Sequence, residues 1–281
     1  MEAPQFSSSD PLLLNAEHAL NVLDRFIQDE VHRVGFERVV IGLSGGVDSA
    51  LSTYLAVRAL GREKVHVVLM PYKTSAMSSA DDALEVVRDL DLSYELFEIT
   101  PMADAFFESS PEMSRLRKGN IMARLRMITL YDRSQRDHAL VLGTSNKTES
   151  LLGYTTLFGD NASAINPLGD LYKTQVWQLS KEVGVPSAIL NKAPSADLWA
   201  GQTDEAEMGL EYRDVDKLLH YMVDLREPDV ALLARGFASE FIAKVRKMIV
   251  RAQFKRRPPV IAKIGSRTIN VDFRYPRDWG S

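Results

Sequence analysis

Hydrophobic positions follow two spacings along this chain. Val39-Val40-Ile41, Val65 through Met70, Tyr94 through Ile99 and Ala139 through Leu142 are short apolar runs, several of them β-branched, which predict buried strands. Between these runs, apolar residues recur every three or four positions, as on helices with one buried face. Ala16, Leu20, Leu23, Ile27, Val31 and Val34 place such a helix within Pro11 to Val34, and Gly35 ends it. Ala50 to Ala56 form a second helix, and Ala80, Ala83, Leu84, Val87 and Leu90 share a face of a third. A short apolar helix surrounds Ala105-Phe106-Phe107, and a longer one runs from Gly119 through Ile128. On the latter, Ile121, Leu125 and Ile128 point one way, Arg124 borders their face and Arg126 points away, toward solvent or a surface partner. Strands alternating with helices predict an α/β fold: an open parallel sheet flanked by helices on both faces, with ligands outside the carboxyl ends of the strands.

Composition narrows the function. With 281 residues, 45% of them hydrophobic, the chain can bury a large core, and we read it as one domain over 1–281 with a helical C-terminal region, 204–281. No apolar run is long enough to span a bilayer, and Met1 to Asp10 lacks the plan of a signal peptide, so a cytoplasmic protein with no membrane partner is expected. Cysteine is absent, which excludes a disulfide scaffold, thiolate zinc and a cysteine nucleophile; nitrogen for any amidation must then arrive as free ammonia. His18, His32, His66, His138 and His220 are scattered without ligand spacing. The net charge of −4 argues against nucleic acid as the main partner. Nine basic residues and no acid lie between Lys244 and Arg267; a solvated helix face accounts for most, and only Lys255 is singled out.

The candidate chemistry lies at strand ends. Gly42-Leu43-Ser44-Gly45-Gly46-Val47-Asp48-Ser49 joins the first strand to a helix; its glycines let backbone approach a ligand, and the first amides of the helix are free for phosphate. Neither G-x-x-x-x-G-K-[ST] nor G-x-G-x-x-G occurs. After the fourth strand, Gly143 to Glu149 reach the same edge, where Glu149 either joins Asp48 around a magnesium ion or simply starts a helix. Lys173 begins the helix Lys173 to Leu179, where a cation opposes the helix dipole unless an anion lies nearby. Arg124 is costly facing inward unless it meets an anion. Tyr72 to Ser79 either closes over phosphates or is an ordinary capped connection.

The S-G-G-x-D-S pattern of Ser44 to Ser49 resembles the PP-loop (N-type) ATP pyrophosphatases, which split ATP into AMP and pyrophosphate to adenylate an acceptor. That resemblance implies a Rossmann-like adenine nucleotide alpha hydrolase fold, with Ser44, Gly45, Gly46 and Ser49 on the pyrophosphate and Asp48 on magnesium. Further blocks extend it: Gly119-Asn120, Ala123-Arg124, Arg126-Met127, Gly143-Thr144, Glu149, Gly153-Tyr154, Gly159-Asp160, Pro167-Leu168, Lys173, Pro194 to Leu198, Gly201 to Glu205 and Met208-Gly209 are similar to the ammonia-dependent NAD synthetases. This implies a ligase that adenylates deamido-NAD with ATP and Mg2+ and amidates it with ammonia. By resemblance, the Gly42–Ser49 loop, Thr144, Lys173 and Ser195 contact ATP, and Asp48 and Glu149 hold the metal. Asn120, Arg124 and Lys255 contact deamido-NAD. Leu157 and Ala164 stand where many members carry Lys and Asp, and Phe254 stands where His is common, so nicotinate mononucleotide is the alternative acceptor. A PP-loop enzyme amidating a nucleotide base and one modifying tRNA are more distant alternatives. The aromatic tail Phe273 to Trp279 suggests docking on the partner in a homodimer.

Overall fold

The computed structural model describes residues 10–195, 202–269 and 271–272. Helix α1 (Ala16–Arg33) leads into β1 (Arg38–Gly42), α2 (Val47–Leu60), β2 (Val65–Leu69), α3 (Met77–Asp89), β3 (Tyr94–Leu96), α4 (Thr100–Glu108), α5 (Arg115–Asp137) and β4 (Ala139–Val141). There follow α6 (Lys147–Leu152), α7 (Lys173–Glu182), α8 (Ser187–Leu190), α9 (Asp204–Met208), α10 (Tyr212–Leu219), α11 (Asp229–Ala234) and α12 (Ser239–Arg251). The strands are parallel in the order β3-β2-β1-β4.

Alternation along the strands builds two apolar layers, because successive side chains leave a strand on opposite faces. Val39, Ile41, Val65, Val67 and Leu69 face α1, α2, α7 and α10; Val40, Val68 and Val141 face α4 and α5 through Ile99, Ala103 and Met122. Both faces are thus covered, as an all-parallel sheet requires. Helix α2 is buried nearly all round, with Ala50, Leu51, Leu55 and Ala56 fully enclosed, so the loop preceding it is held by the core itself.

Two local readings differ from the sequence expectation. On α5, Met122 and Thr129 are buried while Ile128 is 55% exposed, and Arg126 turns inward to donate from Nε to the Met70 carbonyl at 3.0 Å. A carbonyl left open where β2 ends satisfies the guanidinium, and that removes the cost of facing it toward the sheet. The third strand is shorter than its apolar run: β3 stops at Leu96, an edge position, while Phe97 and Ile99 still donate to Leu69 and Pro71 at 2.8 and 3.0 Å.

Because β4 lies on the side of β1 away from β2, the chain reverses its direction of travel across the sheet between them. The carboxyl ends of β1 and β4 therefore flank a switch-point crevice, the usual ligand position in open α/β sheets.

Candidate active site

Gly42 ends β1, Leu43 is buried, and Ser44 to Gly46 turn the chain into α2, whose first residue is Val47. Gly45 takes φ +79°, and a Cβ there would lie 2.1 Å from the Ser79 carbonyl oxygen, so no other residue fits. The serines fold the turn on itself: the Ser44 and Ser49 hydroxyls lie 3.0 Å apart, the Ser44 amide donates to Ser49 Oγ at 3.2 Å, and Ser49 Oγ donates to the Gly46 carbonyl at 3.0 Å. No side chain caps the start of α2. The result is a short nest of backbone donors at a helix start, suited to phosphate oxygens.

On the other side of the crevice, Thr144 to Asn146 carry the chain from β4 into α6. Asn146, fully buried, caps α6 by accepting from the Glu149 amide at 2.9 Å and donates from Nδ2 to Asp48 Oδ1, also at 2.9 Å. One side chain thus holds the Asp48 carboxylate and the backbone that carries Glu149. Lys173, at the first position of α7, is only 3% exposed; its Nζ meets Asp48 Oδ2 and, at 3.1 Å, Glu149 Oε1. The anion that a lysine at a helix start requires is therefore present twice over.

Charge is nevertheless unbalanced. Asp204, at the start of α9, is buried close enough to add its field, and Asp204 Oδ1 has no hydrogen-bond partner. Burial, Asp48 and Asp204 push the Glu149 carboxyl up to about 8, against the pull of Lys173. Burial alone would depress the Lys173 ammonium, but Asp48, Glu149 and Asp204 outweigh it and hold its pKa above the ordinary range. Among the described residues no three such groups are arranged to hold a metal ion by themselves; the two carboxylates that share Lys173 beside a phosphate-suited turn fit Mg2+, which usually takes one or two protein carboxylates and phosphate oxygens.

A third group converges on the segment that follows α6. Asn120 Oδ1 accepts from Thr156 Oγ1 at 2.8 Å, Arg124 donates to the Leu157 carbonyl at 3.2 Å and the Asn120 carbonyl at 3.4 Å, and Lys255 Nζ donates to the carbonyls of Gly153 and Thr155 at 2.7 and 2.6 Å. All three touch the segment between α6 and α7. Among the described residues no carboxylate pairs with Arg124, so its charge faces carbonyl dipoles only. Burial lowers the Lys255 pKa, while Asp160 acts in the opposite sense. Ser195, half-buried, precedes the segment 196–201, which lies outside the described residues together with Phe273 to Trp279.

Sequence reasoning put Asn146 and Thr148 at the ligand edge and Asp204 in a family block, but gave no individual role to these three or to Asp216. A signal existed for two of them. Asn146 stands three residues before Glu149, the spacing of a cap, and Asp216 interrupts the apolar stripe Tyr212, Val215 and Leu219 of α10.

The sequence profile described as NAD synthase matches residues 19–259. The chain belongs to the NAD synthase family. Its relatives include the NH(3)-dependent NAD(+) synthetase of Trichlorobacter lovleyi, 54% identical over 269 residues, which are 96% of this chain and 98% of that one. The NH(3)-dependent NAD(+) synthetase of Chlorobaculum tepidum is 55% identical, with 92% and 93% covered. Among solved structures, NMN synthetase from Francisella tularensis superposes with a TM-score of 0.80 at 33% identity, covering 90% of this chain and all (100%) of that one. The NH3-dependent NAD synthetase of Campylobacter jejuni, in complex with nitrate ion, gives a TM-score of 0.77 at 33% identity, covering 89% and 100%. The parallel sheet with helices on both faces is the architecture shared with these family structures.

Proposed function

We propose that this protein is an ammonia-dependent ligase that adenylates the nicotinate carboxylate of deamido-NAD with ATP, releases pyrophosphate, and then yields NAD and AMP. One observation carries this reading: Lys173 sits between Asp48 and Glu149 at the mouth of the Ser44–Ser49 turn. That arrangement puts backbone donors, an ammonium and two carboxylates around the position of a leaving pyrophosphate, and preorganised charge of this kind is how phosphoryl and adenylyl transfer is accelerated.

The residues divide the work. Ser44, Gly45, Gly46 and Ser49 cradle the outer phosphates, Lys173 neutralises charge as pyrophosphate departs, and Thr144 and Ser195 contact the rest of ATP. Asp48 and Glu149 would hold Mg2+, which when bound supplies further charge neutralisation on the phosphates. Asn120, Arg124 and Lys255 exchange their carbonyl partners for the acceptor, with Arg124 offering its unpaired charge to an anionic group. The acceptor carboxylate attacks the α-phosphorus as the bond to pyrophosphate breaks; ammonia then attacks the acyl-adenylate carbonyl, AMP leaves, and the surplus proton passes to solvent. No side chain becomes covalently attached, in keeping with a sequence that has no cysteine.

The whole chain, 1–281, acts as one unit in this reading, as a cytoplasmic homodimer without nucleic-acid or membrane partners. Ile128 and Tyr131, both exposed on α5, supply apolar surface for such pairing. Among the described residues no helix is long and apolar enough to cross a membrane.

The test is to incubate the protein with ATP, Mg2+ and ammonium, adding either deamido-NAD or nicotinate mononucleotide. Amide, AMP and pyrophosphate are expected from deamido-NAD. Products of ADP and phosphate, or turnover with the mononucleotide alone, overturn the assignment.

A further inference from the structure

Asp216 lies on α10, outside the ATP turn and the acceptor group, and its side chain is fully buried. Its two oxygens take up donors from two other helices. Thr148 Oγ1, at the second position of α6, donates to Asp216 Oδ1 at 2.6 Å. The backbone amide and the hydroxyl of Thr174, at the second position of α7, both donate to Oδ2 at 2.8 Å. The loop of bonds closes because the Lys173 amide donates to Thr148 Oγ1 at 3.0 Å.

The partners' positions in the chain give this network its meaning. Thr148 immediately precedes Glu149, and Thr174 immediately follows Lys173. One carboxylate therefore fixes the helix starts that carry the two residues meeting at 3.1 Å in the site. Packing α10 against its neighbours does not need a charge there: Val215, Leu218 and Leu219 on the same helix are fully buried and already do that. A buried carboxylate is costly unless its lone pairs are filled, and apolar residues commonly replace such groups without loss of stability. What an apolar residue cannot supply is direction. Accepting three hydrogen bonds in fixed geometry, Asp216 sets the rotation and separation of two helix starts, as outer-layer carboxylates do around metal-binding residues.

We propose that Asp216 is a positioning residue of the ligase site, holding the starts of α6 and α7 in the register that brings Glu149 and Lys173 together beside Asp48. The inference rests on the function given above. Its action is indirect, through Thr148 and Thr174, and it touches no reacting group.

Asp216→Asn keeps the shape and retains acceptance from Thr174 through its carbonyl oxygen, but it presents an NH2 group to Thr148, so the bond to Thr148 can only form reversed and the Thr148 hydroxyl proton loses its charged acceptor. Thr148→Val cuts the same link from the other end, together with the bond from the Lys173 amide, and Thr148→Ser keeps the hydroxyl for both. Two readouts are taken on the full-length protein: ATP affinity with Mg2+ and with EDTA by calorimetry, and steady-state kinetics. For Asp216→Asn, circular dichroism is expected to show a folded protein. The gain in ATP affinity conferred by Mg2+ falls about tenfold or more, kcat falls comparably, and KM for deamido-NAD changes less than about twofold. Thr148→Val does the same, Thr148→Ser recovers most of its loss, and the double variant Asp216→Asn/Thr148→Val is no worse than the weaker single.

A folded Asp216→Asn protein whose Mg2+-dependent ATP affinity and kcat stay within about twofold of the parent overturns the proposal, as does a double variant whose loss is the product of the two singles. If Asp216→Asn does not fold, Thr148→Val decides by the same readouts: parental metal dependence overturns the proposal, and its loss with recovery in Thr148→Ser supports it. The two hypotheses fail separately. Parent protein that makes no AMP from deamido-NAD defeats the ligase assignment, whereas the calorimetric comparison needs no acceptor.

Discussion

At the residue scale, the site is a problem in matching buried charges. Gly45 and Gly46 separate fold from function: a Cβ at Gly45 would strike the Ser79 backbone at 2.1 Å, while one at Gly46 meets only Ser44 Oγ at 3.4 Å. Gly45→Ala is therefore expected to lower stability by at least about 1–2 kcal/mol from its positive φ alone, seen in thermal melts. Gly46→Ala should melt like the parent but bind ATP more weakly, because the added methyl stands where phosphate approaches. Lys173→Met leaves Asp48, Glu149 and Asp204 facing one another; kcat is expected to fall roughly 10²- to 10³-fold, the loss typical of one transition-state charge partner. Asp216 gives a pH prediction with a definite sign. Burial first, against the hydrogen bonds of Thr148 and Thr174 and the pull of Lys173, raises its carboxyl from 3.8 to about 6. The folded protein therefore binds this proton more tightly than the unfolded chain. The group's contribution falls as pH rises from about 4 to about 6 and is flat above. The stability difference between parent and Asp216→Asn should shift toward the variant over that window by about 3 kcal/mol, measured by denaturation at several pH values.

At the element scale, three helix starts meet the ends of two strands. The loop glycines and Asp48 were legible because strand, turn and helix each leave a local pattern, and Lys173 was legible because a cation at a helix start conflicts with the helix dipole. The face of α5 was not. Periodicity assigns Ile128 to the interior and Arg126 to solvent, yet a free carbonyl at Met70 reverses this, and no local pattern announces a carbonyl supplied by another strand. Asn146 lies between the two cases, since its capping role is local and its grip on Asp48 is 98 residues away. Asn146→Ala is expected to cost about 1 kcal/mol through the lost cap, and to reduce activity further than that loss explains. Comparing its melting curve with kcat at a temperature well below the transition separates the two effects.

At the scale of the whole molecule, the sheet order decides which loops become neighbours. Residues 48, 149 and 173 meet because β4 lies beside β1, while residues 120, 124 and 255 meet because α5 and the segment after α12 both press on the stretch from Gly153 to Leu157. If that stretch is the acceptor site, Arg124→Ala and Lys255→Met should raise KM for deamido-NAD about tenfold while leaving KM for ATP nearly unchanged, as steady-state kinetics will show. Ile128→Lys should weaken self-association in sedimentation experiments, since it puts a charge on the apolar surface assigned to pairing.

By itself the sequence determined the alternation of strands and helices, the glycine-serine turn between β1 and α2 and the kinds of group available for chemistry, because backbone preference and side-chain spacing are largely local properties. Only the tertiary structure decided that a single ammonium would be shared between Asp48 and Glu149, that Asp204 would add a third buried carboxylate, and that Asp216 would fix two helix starts at once. Those outcomes depend on burial and on contacts between residues far apart in the chain, and burial is what turns an ordinary aspartate or lysine into one whose charge has consequences.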